Sequence, residues 1–307
     1  MLSVPLDNRA RILLGGPDAE RFLQNIITTD LDALREGEAR PGALLTPQGK
    51  ILFDFLVSRR GPEGLRLECR TDVVSDFIKR LMLYRLRAKV DITSDDQTPI
   101  LVCWGQVLAS SPIESTASSA GSISSSSEST GSQTESSAVR DMRFPDEIRV
   151  ERRYGGGAAS TGDPTDWTAL RIRYGIAESG ADYDLGDAFP HDVLLDQLGG
   201  VGFRKGCYIG QEVVSRMQHR GTARRRVLIA AGDAPLPAPG TDLQSGGKSI
   251  GTLRSVQGEH GLAIARIDKV KAATDAGEPI TADGVRLTLS IPPGATFTFP
   301  QDQAEEA

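Results

Sequence analysis

The chain reads as an α+β protein that closes with a small antiparallel β-barrel, and three observations predict it. Short apolar runs bounded by Gly, Pro and Asp recur along the 307 residues, the mark of strands joined by tight turns. Two stretches between them, 17–27 and 72–87, carry apolar residues at helical spacing. Beyond Arg226 the runs are short, strand-like and without a strong helical pattern, the texture of a barrel or sandwich. The expected division is 1–225, 226–300 and an acidic tail over 301–307.

Composition sets the bounds. Hydrophobic content of 39% and charged content of 25% suit a globular chain, and no apolar run is long enough to cross a membrane. A net charge of −6 argues against direct nucleic-acid binding by the protein as a whole. The opening Met1-Leu2-Ser3-Val4-Pro5 lacks the basic-then-apolar pattern of a signal peptide. Cys69, Cys103 and Cys207 are scattered and odd in number, without Cys-x-x-Cys spacing. This argues for a reducing compartment, read here as the cytoplasm, and against a disulfide framework. His191, His219 and His260 add no ligand spacing, so no private four-ligand metal site is expected; a cluster shared with a partner, to which this chain gives one thiolate, stays open.

In order, 11–15 reads as a strand. Pro17-Asp18-Ala19-Glu20 then opens a helix whose Phe22, Leu23, Ile26 and Ile27 share a face. Strands at 43–46 and 51–58 are joined by the turn Pro47-Gln48-Gly49-Lys50. Asp54 sits in the second strand between Phe53 and Phe55, either on a solvated face or as a functional carboxyl of raised pKa. A strand at 65–70 holds Cys69. The clearest helix is 72–87, with Asp72 as cap and Val73, Val74, Phe77, Ile78, Leu81 and Tyr84 as its stripe. Strands follow at 88–92 and 100–108, the latter with Cys103 beside Trp104. The Ser-dominated stretch 109–140 has too few apolar residues to offset its ordering entropy and reads as a disordered insertion. A strand near 148–152 and helices over 166–176, 189–198 and 211–220 come next. Strands at 227–230, 248–256, 262–267 and 285–291 complete the chain. Gly246-Gly247-Lys248-Ser249 is a hairpin turn rather than a P-loop, because Asp242 stands where the first glycine belongs.

The residues that carry chemistry gather at Phe203-Arg204-Lys205-Gly206-Cys207-Tyr208-Ile209-Gly210-Gln211-Glu212. Nearby cations and a following helix N-terminus both favour a thiolate, so this is where a reactive cysteine would be built. Arg216, Arg220, Arg224, Arg225 and Arg226 form a basic cluster that implies a local anion site or, more simply, a solvated helix face with ion pairs; aromatic content of 5% offers no stacking platform for bases.

The run Lys205-Gly206-Cys207-Tyr208-Ile209-Gly210-Gln211-Glu212 resembles the signature of the YgfZ-type folate-binding proteins. That family assists iron–sulfur cluster assembly and tRNA modification and is related to the aminomethyltransferase (T-protein) of the glycine cleavage system. Asn25-Ile26-Ile27-Thr28-Thr29-Asp30 resembles a segment shared by both. Gly49 to Val57 is similar to the T-protein segment that carries its catalytic aspartate, at the place of Asp54.

The resemblance implies an aminomethyltransferase-like folate-binding domain of mixed, largely antiparallel sheets and helices around a central cavity, followed by the barrel. It implies tetrahydrofolate or another reduced folate as cofactor and iron–sulfur client or carrier proteins as partners. Cys207 and Asp54 would be the catalytic residues, with Cys207 a transient cluster ligand. Asp54, Lys205, Tyr208, Gln211, Glu212 and Arg220 would hold the folate, and Gly206 and Gly210 would shape the loop. The function implied is that of an accessory factor for cluster assembly or repair; the alternative is a folate-dependent one-carbon transferase with Asp54 as acid/base. The chain departs from T-proteins twice. Cys207 replaces an apolar residue, and Arg173 stands where T-proteins carry a pterin-contacting glutamate.

Overall fold

A computed structural model describes residues 1–61, 64–106, 137–156, 160–221 and 223–300. The N-terminal part is built from β1 (Leu2–Pro5), β2 (Arg9–Gly15), α1 (Ala19–Gln24), β3 (Glu38–Leu45), β4 (Ile51–Arg59), β5 (Leu65–Arg70), α2 (Val74–Arg85), β6 (Asp91–Asp95), β7 (Ile100–Gln106), β8 (Ser137–Asp141), β9 (Ile148–Tyr154), α3 (Pro164–Tyr174) and α4 (Gln211–Arg220). The C-terminal part holds β10 (Arg225–Gly232), β11 (Asp242–Ser245), β12 (Lys248–Gln257), β13 (His260–Arg266), α5 (Ile267–Asp275), β14 (Ile280–Ala282) and β15 (Val285–Ser290).

The first nine strands form one sheet in the order β1-β7-β9-β8-β3-β4-β5-β2-β6. Every ladder is antiparallel except the β3–β8 seam, where Glu38 faces Arg140 and Ala39 faces Asp141. The sheet is strongly curled. Arg152 on β9 and Glu68 on β5 are four strand steps apart, about 19 Å if the sheet were flat, yet their charged groups meet at 3.4 Å. The two halves of the sheet therefore fold over a shared interior. The six C-terminal strands close a barrel, β10-β13-β12-β11-β14-β15, and Gly246 and Gly247, both at positive φ, make the expected hairpin turn between β11 and β12. This is the predicted architecture: a mixed sheet with few helices and a closed antiparallel barrel.

Local chemistry accounts for the helices. Asp163 accepts the Thr165 N–H at 2.8 Å while Asp166 accepts the Asp163 N–H at 2.9 Å. This capping box starts α3 at Pro164, two residues before the expected start. Gly175, at φ 70°, ends it. α2 begins later than expected, after one 3₁₀ turn over Thr71–Val73, and Asp72 does not cap it. Its carboxylate instead accepts from Arg70 Nε at 3.0 Å.

Several expectations are corrected. Residues 189–198 form consecutive turns rather than a helix. Leu194 adopts φ 62°, and the Arg226 guanidinium takes the His191 carbonyl at 2.9 Å and the Asp196 carboxylate at 2.7 Å, pulling the backbone out of helical register. The barrel contains a helix after all, α5, seated by Ile267, Val270 and Ala273. The strand expected at 88–92 lies at Asp91–Asp95, because 85–88 is spent on a turn. Residues 137–140, assigned to the Ser-rich insertion, belong to β8; the remainder of that reading and the tail 301–307 lie outside the described residues.

Candidate functional site

Two places draw the chemistry. The first is the loop that enters α4. Cys207 is exposed, whereas Cys69 and Cys103 are buried. Burial pushes the Cys69 thiol up to about 12 and raises Cys103 too, so both inner thiols stay protonated at neutral pH. The residues around Cys207 are anchored. Lys205 Nζ donates to the carbonyls of Ile27 at 2.9 Å and Thr29 at 2.7 Å, and burial lowers its pKa to about 8. It also lies 5.5 Å from the centre of the buried Tyr208 ring, whose hydroxyl is pushed up to about 12 by burial. Gly210, at φ 79°, is required, since a Cβ there would come within 2.6 Å of the Thr46 carbonyl; at Gly206 an added Cβ meets nothing. Phe203 packs its ring 6.3 Å from His191, which is held through Nε2 by Gln218 of α4 at 3.1 Å. Gln211 is the first residue of α4, Glu212 is exposed and pairs with Arg216 at 2.7 Å, and Arg220 is exposed at the last turn.

The second place is Asp54, on β4 and inside the curl. Its oxygens accept from Ser179 Oγ at 2.6 Å and Tyr183 Oη at 3.0 Å. Burial, and then the Asp54 charge, raise the Tyr183 hydroxyl well above its ordinary value. The adjoining cavity, lined by Arg9, Asp54, Arg143, Glu178, Tyr183 and Leu198 among others, encloses about 20 Å³. That is room for one water-sized occupant. A buried ion network walls it. Glu68 meets Arg9 at 3.2 Å and Arg152 at 3.4 Å and accepts from Tyr154 Oη at 3.0 Å. Asp141 meets Arg152 at 3.0 Å and Arg143 at 2.7 Å, and these two cations hold its carboxyl at about 2 against the effect of burial. Arg171 pairs with Asp182 at 2.8 Å, and Asp182 accepts the Ser255 N–H of the barrel at 3.0 Å.

The enclosed space beside Asp54, about 20 Å³, is smaller than a two-ring pterin, and each Asp54 oxygen accepts one hydroxyl. No residue of 203–212 lines that cavity. Arg173 is exposed, 5.9 Å from the Tyr174 ring, and does not line the cavity either. Nor do the basic residues form one anion site. Arg226 is buried on Asp196 and against the Phe297 ring at 5.0 Å, Arg225 lies 3.7 Å from Asp187, and Arg216 is taken by Glu212.

Sequence reasoning missed Ser179, Tyr183, Arg9, Arg143 and Glu178. Ser179 and Tyr183 sit in a loop with no periodic signal. Arg9 stands at an alternating strand position that reads as solvent-facing, and Arg143 lies in the turn that follows β8.

At the Cys207 loop the chain offers one accessible thiol at the head of a helix. Among the described residues no group of three or more His, Cys, Asp or Glu side chains could hold a metal ion.

A family described as CAF17, C-terminal beta-barrel domain, matches residues 224–297. A human protein, "Iron-sulfur cluster assembly factor IBA57, mitochondrial", is 32% identical over 296 residues, covering 87% of this chain and 78% of the human one. The mouse protein of the same name is 29% identical over 293 residues, with the same coverages of 87% and 78%. Among solved structures, glycine cleavage system aminomethyltransferase T from Bartonella henselae superposes with a TM-score of 0.66 at 15% identity, over 95% of this chain and 86% of that one, which establishes the shared fold. YgfZ-type proteins are thus a related family and not the one these relatives name. The cytoplasmic expectation is overturned as well, because the human, mouse and Aspergillus fumigatus relatives are mitochondrial proteins. Three unpaired cysteines report only a reducing environment, and the step from there to the cytoplasm had no physical support.

Proposed function

The chain belongs to the IBA57 family of iron–sulfur cluster assembly factors, and we propose that it lends the Cys207 thiolate as one ligand to a cluster whose remaining ligands belong to a carrier or client protein. One observation carries this reading: Cys207 is the exposed thiol of the three, on a loop whose neighbours are tied down. Exposure lets the sulfur reach a metal held by another protein. The anchored backbone lowers the ordering cost of presenting it. Binding the metal displaces the thiol proton. Client enzymes would include the tRNA-modifying cluster enzymes implied by the YgfZ resemblance. Neither a reduced folate nor one-carbon transfer by Asp54 is given a step in this reading.

The test is anaerobic mixing of the full chain with a carrier loaded with a [2Fe–2S] cluster, followed by visible absorption and native mass spectrometry. The expected result is a cluster-bearing complex that contains this chain and disappears in Cys207→Ser but persists in Cys103→Ala. A complex formed equally well by Cys207→Ser would sink the proposal.

A further inference from the structure

Six large apolar side chains stand exposed among the described residues, and three of them, Met82, Leu83 and Leu86, crowd the end of α2. Leu86 is the most exposed, at 87%. Its backbone is also strained, at φ 46° and ψ −105°. This is the first central position of a type II′ turn, closed by the Ala88 N–H on the Arg85 carbonyl at 2.8 Å, where glycine is the ordinary occupant. A leucine in a glycine conformation, with its side chain in water, costs stability twice and packs nothing in the free protein.

Beside it runs a groove of about 340 Å³ between α1 and this turn, floored by Phe22, Ile26 and Tyr84. Its rim is cationic. Arg21 and Arg87 line it and Arg80 lies one turn back on α2; none of the three has a carboxylate partner among the described residues. Arg85 spends its guanidinium on the Val90 carbonyl at 3.1 Å. Asp18, the acid on the rim, is turned to the Lys89 N–H at 2.8 Å. On a chain of net charge −6, an apolar groove edged by uncompensated arginines is complementary to an acidic segment with an apolar anchor.

The groove adjoins the Cys207 loop. Asn25 and Ile26 on its wall run directly into Ile27 and Thr29, whose carbonyls hold Lys205, and into Thr28, whose carbonyl accepts the Gly202 N–H at 2.8 Å.

We infer that this groove docks an acidic, apolar-anchored segment of the protein that exchanges a cluster at Cys207. The partner's role rests on the reading of Cys207; the complementarity of the groove does not. A membrane surface matches less well, because Phe22 and Ile26 are recessed at 7% and 8% exposure, within reach of an inserted side chain but not of a flat headgroup layer.

The probe is a short labelled helical peptide with leucines at i, i+4 and i+7 in a glutamate-rich background, titrated into the full chain by fluorescence anisotropy beside a counterpart with lysine for glutamate. Saturable, salt-sensitive binding of the acidic peptide is expected, weaker by about tenfold or more in Leu86→Gly and in Arg21→Glu/Arg87→Glu, with no saturable binding of the lysine peptide. Leu86→Gly removes the anchor contact while relaxing the turn, so its melting temperature does not fall and lost binding is not lost folding. Absence of binding at millimolar peptide, or equal binding by Leu86→Gly, overturns the inference. So does a wild-type chain that sediments as a dimer or floats with phosphatidylserine vesicles when Leu86→Gly does neither, since a second copy or a membrane would then be the occupant. Running Cys207→Ser through the same titration separates the two claims: peptide binding retained while cluster-complex formation is also retained overturns the thiol reading alone, and cluster complexes formed by a wild type that ignores the peptide overturn the groove alone.

Discussion

The Cys207 loop and the Asp54 cavity solve opposite problems with similar parts. At the loop, one sulfur is left to solvent while its neighbours are fixed: Lys205 on two carbonyls, Gly210 against Thr46, Phe203 near His191. At the cavity, each charge is fixed and almost no space remains: Asp54 on Ser179 and Tyr183, Glu68 on Arg9 and Arg152, Asp141 on Arg143 and Arg152. A thiol that must meet another protein's metal needs access with little entropy left to lose. A buried carboxylate needs partners, because an unpaired charge in a dry interior costs several kcal/mol. On the proposed reading of Cys207, the difference separates where this fold exchanges a cluster from where it holds itself together.

The comparison predicts where substitutions hurt. The largest effect belongs to the closed region. Arg152→Met takes one of two cations from Glu68 and one of two from Asp141, leaving Arg9 and Arg143 in place, and should lower stability by about 3 kcal/mol, read from urea unfolding; a loss below ~1 kcal/mol would show that the network is solvated and not a lock. Acid comes next. Asp141 titrates at about 2 in the fold against roughly 3.9 in an unfolded chain, so its contribution is full above about pH 4 and is lost as pH falls from there toward 2, on the order of 2 kcal/mol. Unfolding free energies measured across that window check the slope, which Asp141→Asn should flatten.

Asp54→Asn should cost about 1–2 kcal/mol, because two hydroxyl donors lose a charged acceptor. In the same protein, calorimetric titration with tetrahydrofolate should give no heat that depends on Asp54; a folate affinity that falls in Asp54→Asn would mean that the cavity opens. Leu86→Gly should raise stability by about 1 kcal/mol, seen as a higher melting temperature, since glycine pays nothing for φ 46°. Cys207→Ser is expected to change stability by less than about 0.5 kcal/mol while abolishing cluster complexes. A maleimide reagent should modify Cys207 in the native protein and reach Cys69 and Cys103 only on unfolding.

What the sequence discloses follows from which residues speak locally. The Gly246-Gly247 turn, the glycine stop of α4 at Gly221 and the Cys207 motif are local and were readable. The ion network was not. Arg9, Arg11 and Glu68 alternate with apolar residues along their strands, and a period of two says only that a face differs, not whether it meets water or the inside of a curl; Arg152 sits between Glu151 and Arg153, in a charged run that reads as exposed. The 189–198 stretch has a helical pattern, but Arg226, from another element, captures its carbonyl and its aspartate. α5 was hidden by the charges between Ile267, Val270 and Ala273. Asp54 stood out as an acid in an apolar strand, yet its partners lie over a hundred residues downstream, at Ser179 and Tyr183, where nothing local announces them.

The seam between β3 and β8 has a consequence for how the chain is made. Glu68 and Tyr154, joined across the curl, are 86 residues apart. At about 5–20 residues per second, a ribosome delivers the second roughly 4–17 s after the first. Over that interval β2, β3, β4, β5 and β6 can pair among themselves, with Arg9 as the one cation of the pair-forming set already present for Glu68 and with the outer edge of β3 bare. The nascent half-sheet thus waits with an open edge and a half-neutralised carboxylate, the state most exposed to mispairing with a neighbouring chain, until β8 and β9 arrive to cover both.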